Sequence, residues 1–519
     1  MDEGEGEASA DSDKTAALRP ARRAPYARNP VTLAGMASDP SAPAAVASTA
    51  NSGDRPRTIG ALRASGYAER TVKQELRENL LAGLSEGRSM FPSIVGYDES
   101  VIPALERGIL AGHDIVFLGE RGQAKTRLIR HLVNLLDEEV PAIAGCELGD
   151  HPFRPICARC RTLVAEEGDS AALEWIPRDR RYAEKLATPD TSVGDLIGDV
   201  DPIRVAEGHY LSDELTIHYG LIPRTNRGIV AINELPDLPE RIQVALFNIL
   251  EERDVQIRGY QIRLPLDLLL VATANPEDYT HRGRIVSPLK DRFGTQVRTH
   301  YPETLGDEIS IMDQEARAST GGRPVRVPAF MKEILAALTA ELRRSPQVNH
   351  RSGVSVRYSI GNLETVIASA MRRAAIAGEP EAVPRVVDLP AVLAGSQGRV
   401  EFDAIEEGRE EEILSRTSRQ AVLEVFRRRL SGFDFAPIVS RFDEGLEVET
   451  SDTTPASEFL RQFGEAPGLG RLLGRLGVEE ESPGVAASAL EFALEGLHLS
   501  RRLNKEGADR AGAVRYGGV

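Results

Sequence analysis

The chain has 519 residues, with 63 Lys and Arg against 79 Asp and Glu, for a formal net charge of −16 at pH 7. That balance excludes a whole-chain cationic footprint and with it general nucleic-acid binding. No uninterrupted apolar stretch approaches the roughly 18 residues of a membrane span, so no membrane partner is expected. The length corresponds to roughly three domains, and 41% hydrophobic but only 5% aromatic residues point to aliphatic cores.

Residues 1–57 are rich in Ala, Ser, Pro, Asp and Arg and poor in large apolar groups. Burial there cannot offset the ordering entropy, so a disordered tail is expected. Its Arg19, Arg22, Arg23 and Arg28 read as solvated charges, with contact to an acidic partner as the sharper reading. The start is acidic and lacks the apolar core of a signal peptide. The chain has only three cysteines, too few for a disulfide framework, and a cytoplasmic location is expected. Residues 58–90 form an N-terminal helical segment, in which Val72, Leu76, Leu80 and Leu84 recur every four residues on one helical face.

Alternating units follow over 91–302. Asp114–Leu118 (DIVFL) is a short apolar run that enters a glycine loop and then a helix, LIRHLVNLLDEE. Ile229–Ile232 (IVAI) is a second buried strand, followed by a helix over Pro239–Glu252 that carries Ile242, Leu246, Ile249 and Leu250 on one face. Val255–Leu264 alternates around Arg258-Gly259-Tyr260 as a hairpin. Leu268–Ala272 (LLLVA) is a third buried strand. Strands alternating with helices predict an α/β fold with a parallel sheet covered on both faces. Beyond Pro302 the strands thin out. Residues 328–378 read as helical, 402–430 as a charged helix pair and 485–505 as another helix.

The segment Gly119-Glu120-Arg121-Gly122-Gln123-Ala124-Lys125-Thr126 follows the phosphate-loop pattern G-x-x-x-x-G-K-[ST] between a strand and a helix. Backbone N–H groups at the helix start would cradle phosphates, Lys125 would reach the β and γ oxygens of ATP, and Thr126 would ligate Mg²⁺. Ala124 departs from the pattern, which has Gly there; a methyl group is tolerated as long as φ stays negative. An accidental Gly-rich turn is the blander reading. The run Ile229–Glu234 ends in Asn233-Glu234. Glu234 supplies a carboxylate to orient an attacking water, while Asn233 replaces the Asp expected near the metal. Leu268–Asn275 (LLLVATAN) is another strand ending in an amide, and Pro288–Gly294 (PLKDRFG) follows.

With these segments together, the chain resembles AAA+ ATPases of the clade holding the I subunit of magnesium chelatase and the MoxR family. The resemblance rests on GERGQAKT, on GLIPRTNRGIVAINELPDLPERIQVALFNILEERDVQIRGYQIRLPLD, on LLLVATANPEDY and on SPLKDRFG, from Phe91 to Gly294. It implies an AAA+ phosphate-loop core over 91–302, a helical lid over 303–400 and a C-terminal helical region over 401–519. It further implies that Asn275 is the sensor-1 residue, that Arg292 is an arginine finger acting in trans, and that Arg357 in Ser355-Val356-Arg357-Tyr358 is the sensor-2 arginine. A surface ion pair is the alternative for Arg292, and a salt bridge for Arg357. A finger in trans implies a closed ring, a hexamer by the resemblance, and the clade implies a protein partner with a von Willebrand factor A domain.

The cysteines fall in one window, Cys146-x10-Cys157-x2-Cys160, with His151 between. Three thiolates and an imidazole would complete a tetrahedral zinc site; coincident free thiols are the other reading. The acidic run Glu406–Glu412 and the basic Arg427-Arg428-Arg429 read as solvated faces, or as a docking surface.

The function expected is a Mg²⁺-dependent ATP-hydrolysing AAA+ motor of the chelatase/MoxR type that remodels or loads a partner protein, slowed by Asn233 and Ala124. One alternative is an ATP-dependent assembly switch with little turnover. Another is a sigma-54-type transcription regulator, which ranks lower because Asp195–Asp201 (DLIGDVD) stands where that group carries GAFTGA.

Overall fold

The apolar runs of the first half form strands buried on both faces, which is why they read as continuous rather than alternating hydrophobic segments. In this computed structural model the described residues are 55–200, 216–252, 255–257, 260–262, 264–275, 285–318, 322–349, 353–396, 398–464, 468–478, 482–507 and 513–519. The tail expected over 1–57 therefore lies almost wholly outside the described residues, and Pro56–Val519 form one unit.

The strands in chain order are β1 (Ile115–Leu118), β2 (Glu139–Ile143), β3 (Leu173–Pro177), β4 (Tyr182–Leu186), β5 (Gly198–Val200), β6 (Ile217–Tyr219), β7 (Gly228–Asn233), β8 (Val255–Ile257), β9 (Tyr260–Ile262), β10 (Leu268–Ala274), β11 (Thr295–Arg298), β12 (Val448–Thr450), β13 (Asn504–Gly507) and β14 (Val514–Gly517). The central sheet has five strands in the order β11-β1-β10-β7-β4, every neighbouring pair parallel. Ile115, Phe117, Ile229, Ala231, Leu269 and Val271 face one core, which holds Val72, Leu76, Leu80 and Ile129. Val116, Leu118, Val230, Ile232, Leu270 and Ala272 face the other, which holds Ile242, Leu246, Ile249 and Leu289. This is the parallel α/β sheet covered on both faces that the sequence predicts. β8 and β9 pair antiparallel as the expected hairpin.

The N-terminal helices span Ile59–Ala64 and Val72–Ser85, the second opened by a Thr71–Gln74 capping box. Leu84 has the spacing of the buried face, yet it is exposed in the helix's last turn. Glu75 on this helix meets Arg181 just before β4 in a bidentate pair of 2.8 and 2.6 Å, both side chains buried.

Several expected elements differ in the structure. The helix after the glycine loop stops at His131, and Leu132–Leu135 form a 3-10 turn, because the chain must straighten to enter β2. The charged helix pair over 402–430 is one helix, Glu410–Arg429, preceded by a short 3-10 turn; Gly408 at φ 84° breaks the run. The helix over 485–505 is Pro483–Leu499, ended before Arg501 at φ 60°. The C-terminal region is also not purely helical, since β12, β14 and β13 form a three-stranded antiparallel sheet. The helices Leu305–Glu315, Ala329–Arg344 and Val356–Ala377 share one hydrophobic core with this C-terminal region, and Phe330 stacks on Phe492 at 4.7 Å. No helix among the described residues is long and apolar enough to cross a membrane.

Candidate functional site

In parallel α/β sheets, ligands bind beyond the carboxyl ends of the strands, where the chain changes direction in the sheet. β1 sits between β10 and β11, and at its end the loop Gly119–Ala124 leads into the helix Lys125–His131. The Gly119 N–H donates to the Ala274 carbonyl at 3.2 Å, which seats the loop against the end of β10 and so beside Asn275.

Groups outside the motif hold the loop in shape. The Gln123 side-chain oxygen accepts from the Glu120 N–H at 3.0 Å and from the Thr299 hydroxyl at 2.8 Å. Tyr97 donates to the Gln123 carbonyl at 3.0 Å, and Tyr301 to the Arg121 carbonyl at 3.0 Å. Burial pushes the Tyr97 and Tyr301 phenols well above their ordinary range, so both remain donors. A Cβ at 119 would overlap the Thr299 hydroxyl and the Gln123 amide oxygen, so a larger residue there would displace the contacts that hold the loop. The Lys125 ammonium donates to the carbonyls of Gly119 and, at 2.9 Å, Glu120. Thr126 lies in the first helical turn.

Ala124 has φ 54° and ψ 15°, the left-handed region, and not the negative φ expected. The loop geometry prevails over the side chain's preference, because the next residue must start the helix with its N–H groups pointing back at the loop. Glu234, just past β7, is left-handed too, at φ 56°. Strained non-glycine residues of this kind cluster at functional sites. The Glu234 N–H is held by the Thr273 hydroxyl at 2.9 Å.

Asn233 is buried, and its amide nitrogen donates to Glu184 of β4 at 2.7 Å, while Thr273 reaches its amide oxygen at 3.4 Å. Glu184 also takes a two-point contact from Arg130 at 2.9 and 3.1 Å. Burial alone would raise this carboxyl's pKa, but the bonds from Arg130, Tyr182 and Asn233 lower it overall. A carboxylate therefore stands one hydrogen bond behind the neutral Asn233. The motifs did not reveal Glu184, Thr273, Tyr97 or Thr299, although the position of Glu184 on the strand next to β7 is a register signal.

The start of the helix Val356–Ala377 packs against the loop. A Cβ on Gly122 would lie 3.0 Å from the Ser355 Cα, and the Ser355 hydroxyl caps the Arg357 N–H at 3.2 Å. Arg357 is exposed in the first turn of that helix. Beside the loop lies a small cleft of about 70 Å³, lined by Ile94, Tyr97, Ala124, Pro302, Ile311 and Val356. Arg292 stands apart from this group: it pairs with Glu251 and lies 5.1 Å over the Phe247 ring.

The cysteine window is also brought together, but with a different fourth residue. A carboxylate oxygen of Asp150 and the sulfurs of Cys146, Cys157 and Cys160 lie within 4.8 Å of one another. The expected fourth ligand, His151, is not in this group. Its Nδ1 accepts from the Phe153 N–H at 3.1 Å, and its ring packs against Phe153 and Tyr67.

The sequence matches the family model of the sigma-54 interaction domain over residues 206–292, the segment that carries Asn233, Glu234, Asn275 and Arg292. It is 26% identical over 242 residues to the magnesium-chelatase subunit ChlI of a Nostoc species, covering 45% of this chain and 60% of that protein. It is 28% identical over 233 residues to the magnesium-chelatase 38 kDa subunit of Cereibacter sphaeroides, covering 43% and 62% respectively. The chain thus spans under two thirds of the length of these curated relatives. A chain from the complex between subunits BchI and BchD of magnesium chelatase is similar at 21% identity, over 62% of this chain and 98% of that one, with a TM-score of 0.32.

Proposed function

We propose that the chain is an AAA+ ATPase of the magnesium-chelatase I-subunit clade, to whose members it is similar, and that it is a Mg²⁺-dependent ATP-hydrolysing motor acting on a partner protein. The observation that carries this reading is the convergence of the Gly119–Thr126 loop, Asn233-Glu234 and Asn275 at the carboxyl ends of β1, β7 and β10.

The loop N–H groups and Lys125 bind the phosphates. The oxygen donors of Thr126, Asn233 and Glu234 fit a hard cation, and they would hold Mg²⁺ together with phosphate oxygens. When bound, Mg²⁺ neutralises charge on the β- and γ-phosphates. Glu234 accepts a proton from the attacking water, Asn275 holds that water in line, and the β–γ bridging P–O bond breaks to leave ADP and phosphate. Arg292 leaves Glu251 to reach a neighbouring subunit's γ-phosphate, which requires a ring, by the clade a hexamer. Arg357 couples the lid angle to the nucleotide. The partner, again by the clade, is a second subunit with a von Willebrand factor A domain.

The test is phosphate release by the purified chain against Glu234→Gln. Release abolished by the substitution supports the motor. Equal release with intact ATP binding instead marks an assembly switch. The match over 206–292 favours a second reading, a sigma-54-type regulator; ATP-dependent stimulation of sigma-54 transcription would select it.

A further inference from the structure

We propose that Cys146, Asp150, Cys157 and Cys160 form a closed structural zinc site, separate from the nucleotide site. The geometry is close to what zinc demands. A Zn–S bond of about 2.3 Å in a tetrahedron sets S···S edges of about 3.8 Å; Cys146 and Cys157 stand 4.0 Å apart, and all four ligand atoms fall within 4.8 Å. Shortening the longest edges by up to about 1 Å, and the Cys146–Cys157 edge by a few tenths, completes the tetrahedron.

Asp150 is the independent observation that points to a cation. It is fully buried. Its Oδ2 accepts from the Ile156 and Cys157 N–H groups at 3.0 and 2.9 Å, which orients the carboxylate as an outer shell does for a metal ligand. Among the described residues no donor of acceptable geometry reaches its Oδ1. An acceptor left bare in the interior is costly, and a cation satisfies it. The sulfurs are supported in the same way: the Asp150 N–H donates to Cys146 at 3.4 Å and the Cys160 N–H to Cys157 at 3.4 Å. A pocket that gathers three thiols and a carboxyl cannot ionise them all without positive charge.

Cys157 caps the helix Ala158–Glu167, a position also used by redox C-x-x-C pairs. Reactive cysteines of that kind are partly exposed, whereas these three are buried at 6%, 6% and 0% exposure. All three belong to the core on the same face of the sheet as Leu148, Ile222 and Leu235. With four protein ligands and no open position, the ion would clamp the 146–160 loop onto that core.

The test uses the full chain, expressed with added zinc and purified reduced and without chelator. Elemental analysis should find one zinc per chain, and Co²⁺ exchanged into the wild type should show thiolate-to-cobalt charge-transfer absorption. C157S/C160S should lose the metal, D150N should lose it to a competing chelator, and H151A should hold it as the wild type does. Wild-type protein that neither contains nor takes up zinc or cobalt overturns the proposal without recourse to any variant. So does a Cys146–Cys157 disulfide in the protein as isolated, or retention by D150N with loss in H151A.

Discussion

Replacing Ala124 by glycine tests whether the phosphate loop is held under strain by the fold. Ala124 sits at φ 54°, ψ 15°, immediately before the Lys125 helix. A left-handed conformation costs an L-residue about 1–2 kcal/mol, and glycine escapes that cost. Against this, glycine raises unfolded-chain entropy by about 0.4–1 kcal/mol. The balance favours the A124G variant by roughly 1 kcal/mol, and glycine is also the better residue at a helix N-cap. Native-state hydrogen exchange reads this locally: amides of the loop and the Lys125 helix should exchange roughly fivefold more slowly in A124G. The internal control is the same chemical change at Ala82, exposed within the helix Val72–Ser85. There A82G should speed exchange, since glycine costs about 1 kcal/mol in a helix interior. Slowing at both positions, or faster exchange in A124G, would refute the argument that backbone geometry overrides the side chain at 124.

Lys125→Ala should abolish binding of a fluorescent ATP analogue; unchanged affinity would remove the phosphate loop from the nucleotide site. Arg292→Ala and Lys125→Ala chains, each inactive alone, should regain part of the phosphate release when mixed, because a Lys125→Ala subunit still presents its arginine to a neighbour; no recovery counts against action in trans. Asn233→Asp puts a carboxylate against Glu184, 2.7 Å from the present amide nitrogen. The like-charge contact should lower the thermal midpoint, and Glu184→Gln in the same chain should restore it. Glu75→Ala strands Arg181 in the interior, with an expected loss of about 3–5 kcal/mol measured by urea denaturation; a loss under about 1 kcal/mol would show that water reaches the guanidinium.

The sequence by itself determined the parallel core, because strands covered on both faces must be continuous apolar runs, and IVAI, LLLVA and DIVFL are such runs. It also determined the loop, since glycine, lysine and threonine at that spacing carry their own phosphate chemistry. Contacts between residues distant in the chain were decided only by the tertiary structure. β12, β13 and β14 are three or four residues each, too short for a period, and they exist because they pair with one another. The carboxylate behind Asn233 comes from Glu184, 49 residues earlier, through the register of β4 on β7. Beside three cysteines the sequence points to His151 as the fourth ligand, and nothing in the spacing singles out the adjacent Asp150. Which of them meets the sulfurs depends on how the turn after β2 buries its backbone, and that turn sends the carboxylate inward and the imidazole toward Tyr67 and Phe153.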